Sequence, residues 1–208
     1  MSRRHRKYDK EPLPKITKEN CFNLKEIIEN SLTILWFESD NNQLIIDDIP
    51  YSLNKNQIVF LTEFHKVEVV RVEQIRFLRF NKPFYCILNH DNEVGCKGIL
   101  FFGASQLPII QLPEEEKEKF EIVWKMFCIE MNSNDNLQIE MLQMMLKRYL
   151  ILCTRLFKLQ NQNAIQQYDS DIIRAFNYLV EQHFKEKHTV AEYAELLNRS
   201  PKALSNVF

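Results

Sequence analysis

Between residues 32 and 112 the apolar side chains fall in short runs rich in β-branched and aromatic residues. The pattern predicts strands over 32–38, 43–48, 57–61, 66–72, 74–80, 84–88, 97–102 and 108–112. Polar turn-formers separate the runs, among them Ser39-Asp40-Asn41-Asn42, Asn54-Lys55-Asn56 and Asn89-His90-Asp91-Asn92. The whole chain holds only 3 glycines, so Asn and Asp must supply the positive φ angles that tight turns require. Short strands at this spacing predict a closed barrel or a sandwich, because antiparallel strands must hide their edges.

After Leu112 the period becomes helical, introduced by Pro113 and the acidic Glu114, Glu115 and Glu116, which suit a helix N-terminus. Phe120, Val123, Trp124, Phe127 and Met131 recur at steps of three and four. A longer helix is predicted over 137–159. Leu142, Met145, Tyr149, Leu152 and Leu156 form one apolar stripe on it, and Leu146, Leu150, Cys153 and Phe157 form another. Two stripes call for two partners: the barrel or the preceding helix for one, and a second copy of the chain for the other. The alternative is a helix wholly buried inside one subunit. Residues 160–167 are mostly polar, uncharged and without either period, so 161–168 read as a linker.

A further helix, capped by Asp169 or Ser170, presents Ile172, Ile173, Phe176, Leu179, Val180 and Phe184 on one face. Thr189-Val190-Ala191-Glu192 is a capping-box sequence that starts a short helix. Ala194, Asn198, Ser200-Pro201, Leu204 and Phe208 then follow at helix-turn-helix spacing. A small residue at Ala194 lets two helices cross closely, and Asn198 tolerates a left-handed turn. Ser200 can cap the second helix with Pro201 in its first turn. Lys202, Ser205 and Asn206 are left on the outer face, where such a helix offers side chains to base edges in the major groove, with Arg199 placed for a phosphate. A small three-helix bundle of any purpose would show the same spacing.

These residues resemble the first helix-turn-helix of the AraC family of bacterial transcription regulators, whose pattern reads A-x-x-x-G and then S-x-x-x-L-S-x-x-F. The matching residues are Ala194 to Asn198 and Ser200-Pro201-Lys202-Ala203-Leu204-Ser205-Asn206-Val207-Phe208. Upstream, Ile34-Leu35-Trp36-Phe37, Leu44-Ile45-Ile46-Asp47, Ile58-Val59-Phe60-Leu61, Phe84-Tyr85-Cys86 and Gly98-Ile99-Leu100-Phe101-Phe102 resemble the cupin-like N-terminal domain of one branch of that family. The resemblance implies an α+β chain: a basic extension at 1–20, a cupin-like sensing barrel at 21–112, a helical dimerisation segment at 113–160, the linker, and a first helix-turn-helix at 169–208. It departs from the family in two ways. Asn198 replaces the commoner glycine, and the chain ends at Phe208, before the second helix-turn-helix that the family carries.

Composition narrows the function. With 45% hydrophobic and 26% charged residues over 208 positions, the chain is neither collagen-like nor low-complexity. A formal net charge of -1 excludes a global field for polyanions, so any DNA contact must be local. The 5 cysteines (Cys21, Cys86, Cys96, Cys128, Cys153) are scattered without a Cys-x-x-Cys pair and read as reduced thiols. The basic start leads into no apolar stretch, and Lys147, Arg148, Arg155 and Lys158 interrupt the most apolar segment, so a cytoplasmic protein without a membrane span is expected.

His65 and His90 lack the His-x-His pattern of metal-binding cupins, and no nucleophile–base arrangement is evident, so neither a metal nor an enzymatic activity is expected. Trp36, Phe60, Arg79 and Tyr85 could line a barrel pocket for a small effector, although aromatic residues on strands are more often plain core. The reading is a homodimeric regulator of transcription that binds double-stranded DNA. Its rival is a metal-free cupin that binds or turns over a small molecule and uses the helical tail for assembly.

Overall fold

The computed structural model describes residues 31–81, 84–85, 99–102, 107–161, 175–177, 179–180 and 183–205. The basic extension, Cys21, Cys86, Cys96, the cap at Asp169 or Ser170, Asn206 and Phe208 lie outside the described residues, as do most of the 84–88 run and of the linker.

The fold is α+β, with strands β1 (Ser31–Phe37), β2 (Asn42–Ile46), β3 (Ile49–Leu53), β4 (Gln57–Thr62), β5 (Val67–Arg71), β6 (Ile75–Asn81) and β7 (Ile109–Gln111). A single helical turn, α1 (Ile99–Phe102), precedes β7, and α2 (Glu114–Glu130) and α3 (Gln138–Gln160) follow it. Two antiparallel sheets result, one ordered β6-β1-β4-β7 and the other β3-β2-β5.

Every residue of β1 is buried, because both of its faces are covered. Leu35 and Phe37, with Val59, Leu61, Ile75 and Phe77, pack against Leu44, Ile46 and Leu53 of the second sheet. Leu32, Ile34 and Trp36, with Ile58, Phe60, Leu78 and Phe80, pack against α1, α2 and α3. The strand period of two thus sends alternate side chains into two different cores.

Turn chemistry follows the Asn and Asp usage. Asn41, Asp47, Asp48 and Asn56 have φ of 60°, 50°, 64° and 64°. The adjacent pair Asp47-Asp48 closes the β2–β3 hairpin, the geometry of a two-residue turn whose central residues are both left-handed. Buried Asn42 braces the neighbouring loop: its Nδ2 donates to the carbonyls of Ser39 and Leu53, and its Oδ1 accepts from Glu73 N–H.

Two expectations change. Residues 99–102 form a helical turn instead of a strand. The run is too short for its period to decide, and packing decides instead, with Ile99, Leu100 and Phe101 all buried and Phe101 edge-on to Phe60 and Phe80 at 5.6 Å and 6.0 Å. Residues 49–53 form a strand that the sequence pattern misses. Pro50 argues against a central strand, and β3 lies at the edge of its sheet, where a missing N–H is tolerated.

Candidate functional site

The C-terminal helices α4 (Val190–Leu196) and α5 (Pro201–Ser205) are positioned by backbone chemistry that can be followed atom by atom. At the start of α4, Glu192 N–H donates to Thr189 Oγ1 at 3.4 Å, and Thr189 N–H donates back to Glu192 Oε2 at 2.9 Å, which completes the capping box. The Thr189 hydroxyl donates to the same carboxylate at 2.7 Å, and His188 N–H does so at 3.1 Å. These donors hold the Glu192 carboxyl below its ordinary range, the Thr189 side chain being the largest cause.

The end of α4 is a Schellman turn. Arg199 N–H donates to Ala194 O at 2.9 Å and Asn198 N–H to Glu195 O at 3.0 Å, while Asn198 takes φ 52°. Ser200 Oγ then accepts from Ala203 N–H at 3.2 Å and caps α5, which opens on Pro201. Tyr193, Ala194 and Leu204 are buried together, with Phe176, Leu179, Val180 and Leu197 packed against them. Ala194 is fully buried, so a larger side chain there would push the two helices apart.

Arg199, Lys202 and Ser205 are all exposed, and Lys202 and Ser205 are three residues apart on one side of α5. Lys185, Lys187, Arg199 and Lys202 are offset by Glu186, Glu192 and Glu195 across 183–205, so local charge is nearly balanced. Any attraction to phosphate therefore rests on individual side chains.

The four residues assigned to an effector pocket do not converge. Trp36, Phe60 and Tyr85 belong to the core between the first sheet and the helices. Arg79 lies on the opposite face, donating to Thr33 Oγ1 at 3.1 Å with its guanidinium 4.8 Å from the Phe77 ring centroid. The helix-side core is strongly aromatic. Trp36 stands edge-on to Phe120 and Trp124, each at 6.2 Å, and Phe120 contacts Tyr149 at 5.3 Å. Trp36 Nε1 and the Tyr149 hydroxyl are buried there without a hydrogen-bond partner among the described residues.

Sequence reasoning missed Arg76. It projects from β6 to the helix side, where Nε donates to Glu38 Oε1 at 2.8 Å and Nη1 and Nη2 donate to the Glu121 carboxylate at 2.6 Å and 2.9 Å. Burial opposes the Arg76 charge, but the hydrogen bonds to Glu121 and Glu38 outweigh it and raise its pKa. The one available signal was strand alternation, which puts Arg76 on the same face as Leu78 and Phe80.

Leu142, Met145, Tyr149, Leu152 and Leu156, expected to form a seam with a second copy, are buried in their own chain. So are Leu146, Leu150, Cys153 and Phe157: α3 lies against both the first sheet and α2, and these two partners cover both stripes. Ile139 and Leu159 of α3 stay exposed, as do two sets at steps of four and three: Ile122, Met126 and Ile129 on α2, and Leu137, Met141 and Met144 at the start of α3. Among the described residues no cluster of His, Cys, Asp and Glu could hold a metal ion, and no helix is long and apolar enough to cross a membrane.

No protein-family model matches the chain, and no curated protein does. Two solved structures of ToxT from Vibrio cholerae resemble its course. One, bound to (E)-4-(8-methylnaphthalen-1-yl)but-3-enoic acid, is 14% identical with a TM-score of 0.41, over 86% of this chain and 67% of that one. The other, bound to an unsaturated fatty acid, is 12% identical with a TM-score of 0.43, over 88% and 66% respectively.

Proposed function

We propose that the chain is a cytoplasmic, DNA-binding regulator of transcription, with an effector-sensing unit at 21–112, a dimerisation segment at 113–160, a linker at 161–168 and a helix-turn-helix at 169–208. The observation that carries this reading is the Asn198 turn. A Schellman ending followed at once by a Ser-Pro cap fixes the crossing of α4 and α5 while leaving Arg199, Lys202 and Ser205 exposed. In this reading Lys202, Ser205 and Asn206 meet base edges in the major groove, and Arg199 meets a phosphate.

Dimerisation uses the outward faces of α2 and α3, where Ile122, Met126, Ile129, Met141 and Met144 remain exposed. A small effector is received at the aromatic core around Trp36, Phe60 and Tyr85, beside the buried Trp36 Nε1 and Tyr149 hydroxyl. The chemistry is binding, without catalysis. Selection from random duplex DNA by the protein as its gene encodes it tests the reading. Enrichment of one sequence, with binding that weakens as salt rises, supports it; a folded protein that enriches nothing overturns it.

A further inference from the structure

Phe64 and Phe184 are large apolar side chains that stay 43% and 46% exposed, yet their rings meet edge-to-face at 5.9 Å. Phe64 belongs to the turn between β4 and β5, and Phe184 to the turn just before the Thr189 capping box. The contact therefore joins the sheets to the helical unit across a sequence separation that includes α2 and α3.

Both rings sit on hydrogen-bonded turns. On the sheet side, Thr62 N–H donates to His65 Nδ1 at 3.0 Å and His65 N–H donates to Thr62 O at 3.3 Å. Lys66 N–H donates to Asp47 Oδ1 at 2.8 Å and Asp47 N–H to Lys66 O at 3.0 Å, which braces the turn against the β2–β3 hairpin. On the helical side, Phe184 N–H donates to Val180 O, and the amides of Glu186 and Lys187 donate to His183 O, each at 2.8 Å. Tyr193 Oη donates to Lys187 O at 2.9 Å, so the turn is tied to buried Tyr193 in the core of α4 and α5. Lys185 Nζ lies 5.7 Å from the Phe184 ring centroid and adds a cation over the same ring.

We propose that Phe64 and Phe184 form the latch that docks the helical unit on the β4–β5 turn and sets its orientation to the sheets. Edge-to-face aromatic pairs favour association by roughly two- to tenfold, and exposed ones lie at the lower end. A contact of that strength holds one arrangement in the majority and can still be released. Because β4 contributes Phe60 to the helix-side core and Leu61 to the inter-sheet core, a rearrangement in either core reaches Phe64 through one short strand. The latch stands whether or not the helical unit binds DNA; only its use in signalling rests on the regulator reading.

Backbone 15N relaxation of the 208-residue chain tests it. In the unaltered protein the α4 amides should tumble at the rate of the sheet amides. Phe64→Ala and Phe184→Ala should each speed α4 tumbling, by an amount set by a roughly two- to tenfold larger undocked population, and the double variant should add little more. Phe64→Leu, which keeps an apolar side chain on the turn but no aromatic ring, covers the case in which Phe64→Ala does not fold. Independent tumbling of α4 in the unaltered protein, or unchanged tumbling in folded single variants, overturns the latch. Joint tumbling lost in the variants, together with no DNA selection, would leave the latch standing and remove the regulator reading.

Discussion

The Arg76 guanidinium lies 4.2 Å from the centroid of the Trp36 ring. The same group hydrogen bonds to Glu38 beside β1 and to Glu121 on α2, so one side chain ties the first sheet to the helix packed on it. A charge over an aromatic face, with two carboxylates at its edge and little solvent, is more than an ordinary surface ion pair.

Arg76→Ala should therefore cost roughly 1–3 kcal/mol, because it leaves Glu38 and Glu121 facing each other across a lost partner. The check is urea unfolding of the variant, and a loss below roughly 0.5 kcal/mol, the level of an exposed pair, would deny the clasp.

Asn198 offers a backbone test. Its φ of 52° is open to glycine and unfavourable for alanine. Asn198→Ala should cost roughly 1–2 kcal/mol of local stability, whereas Asn198→Gly should be close to neutral. Hydrogen exchange at the Arg199 amide, which closes the Schellman turn, reads the difference directly.

His65 makes stability depend on pH. Its Nδ1 accepts from Thr62 N–H at 3.0 Å, which only the unprotonated nitrogen can do. Burial lowers its pKa below the ordinary 6.5, against the opposing pull of Asp47 and of the Thr62 backbone. The folded chain therefore binds this proton less tightly than the unfolded chain. The His65 contribution is full above the unfolded value and is lost as pH falls through the lower folded value. The urea midpoint should drop between about pH 7.5 and about pH 5, and His65→Gln should show a smaller drop. An equal drop in the variant would assign the effect elsewhere.

Buried and exposed positions of the helical segment allow folding and the proposed assembly to be tested separately. Leu152→Glu or Leu156→Glu would put a charge into the chain's own core, and loss of the folded state by circular dichroism is expected. If the proposed dimer forms, Met126→Glu and Met144→Glu, which change exposed positions, should leave a folded protein that sediments as a monomer while the unaltered protein sediments as a dimer. A folded monomer of the unaltered protein at micromolar concentration would contradict the assembly.

Much of this was legible in the sequence for local reasons. The strand runs, the Asn and Asp turns, the Thr189–Glu192 box and the left-handed Asn198 all depend on residues within a few positions of one another. What was not legible depends on distant partners. Arg76 and Glu121 are 45 residues apart, and nothing near Arg76 announces the pairing. The two stripes of α3 were visible, but whether a sheet or a second copy covers a stripe is decided by tertiary packing. Residues 99–102 bury three consecutive side chains, a pattern equally open to a strand with both faces covered.

The salt dependence of binding to a selected duplex tests most directly whether α5 reads DNA. Affinity should fall linearly on a log–log scale, with a slope shallower by about one in Arg199→Ala because one phosphate contact is gone. Lys202→Ala should cost roughly 1–3 kcal/mol on the selected site and much less on scrambled DNA. A folded protein whose affinity is the same for selected and scrambled duplexes, at every salt concentration and in both variants, would contradict it.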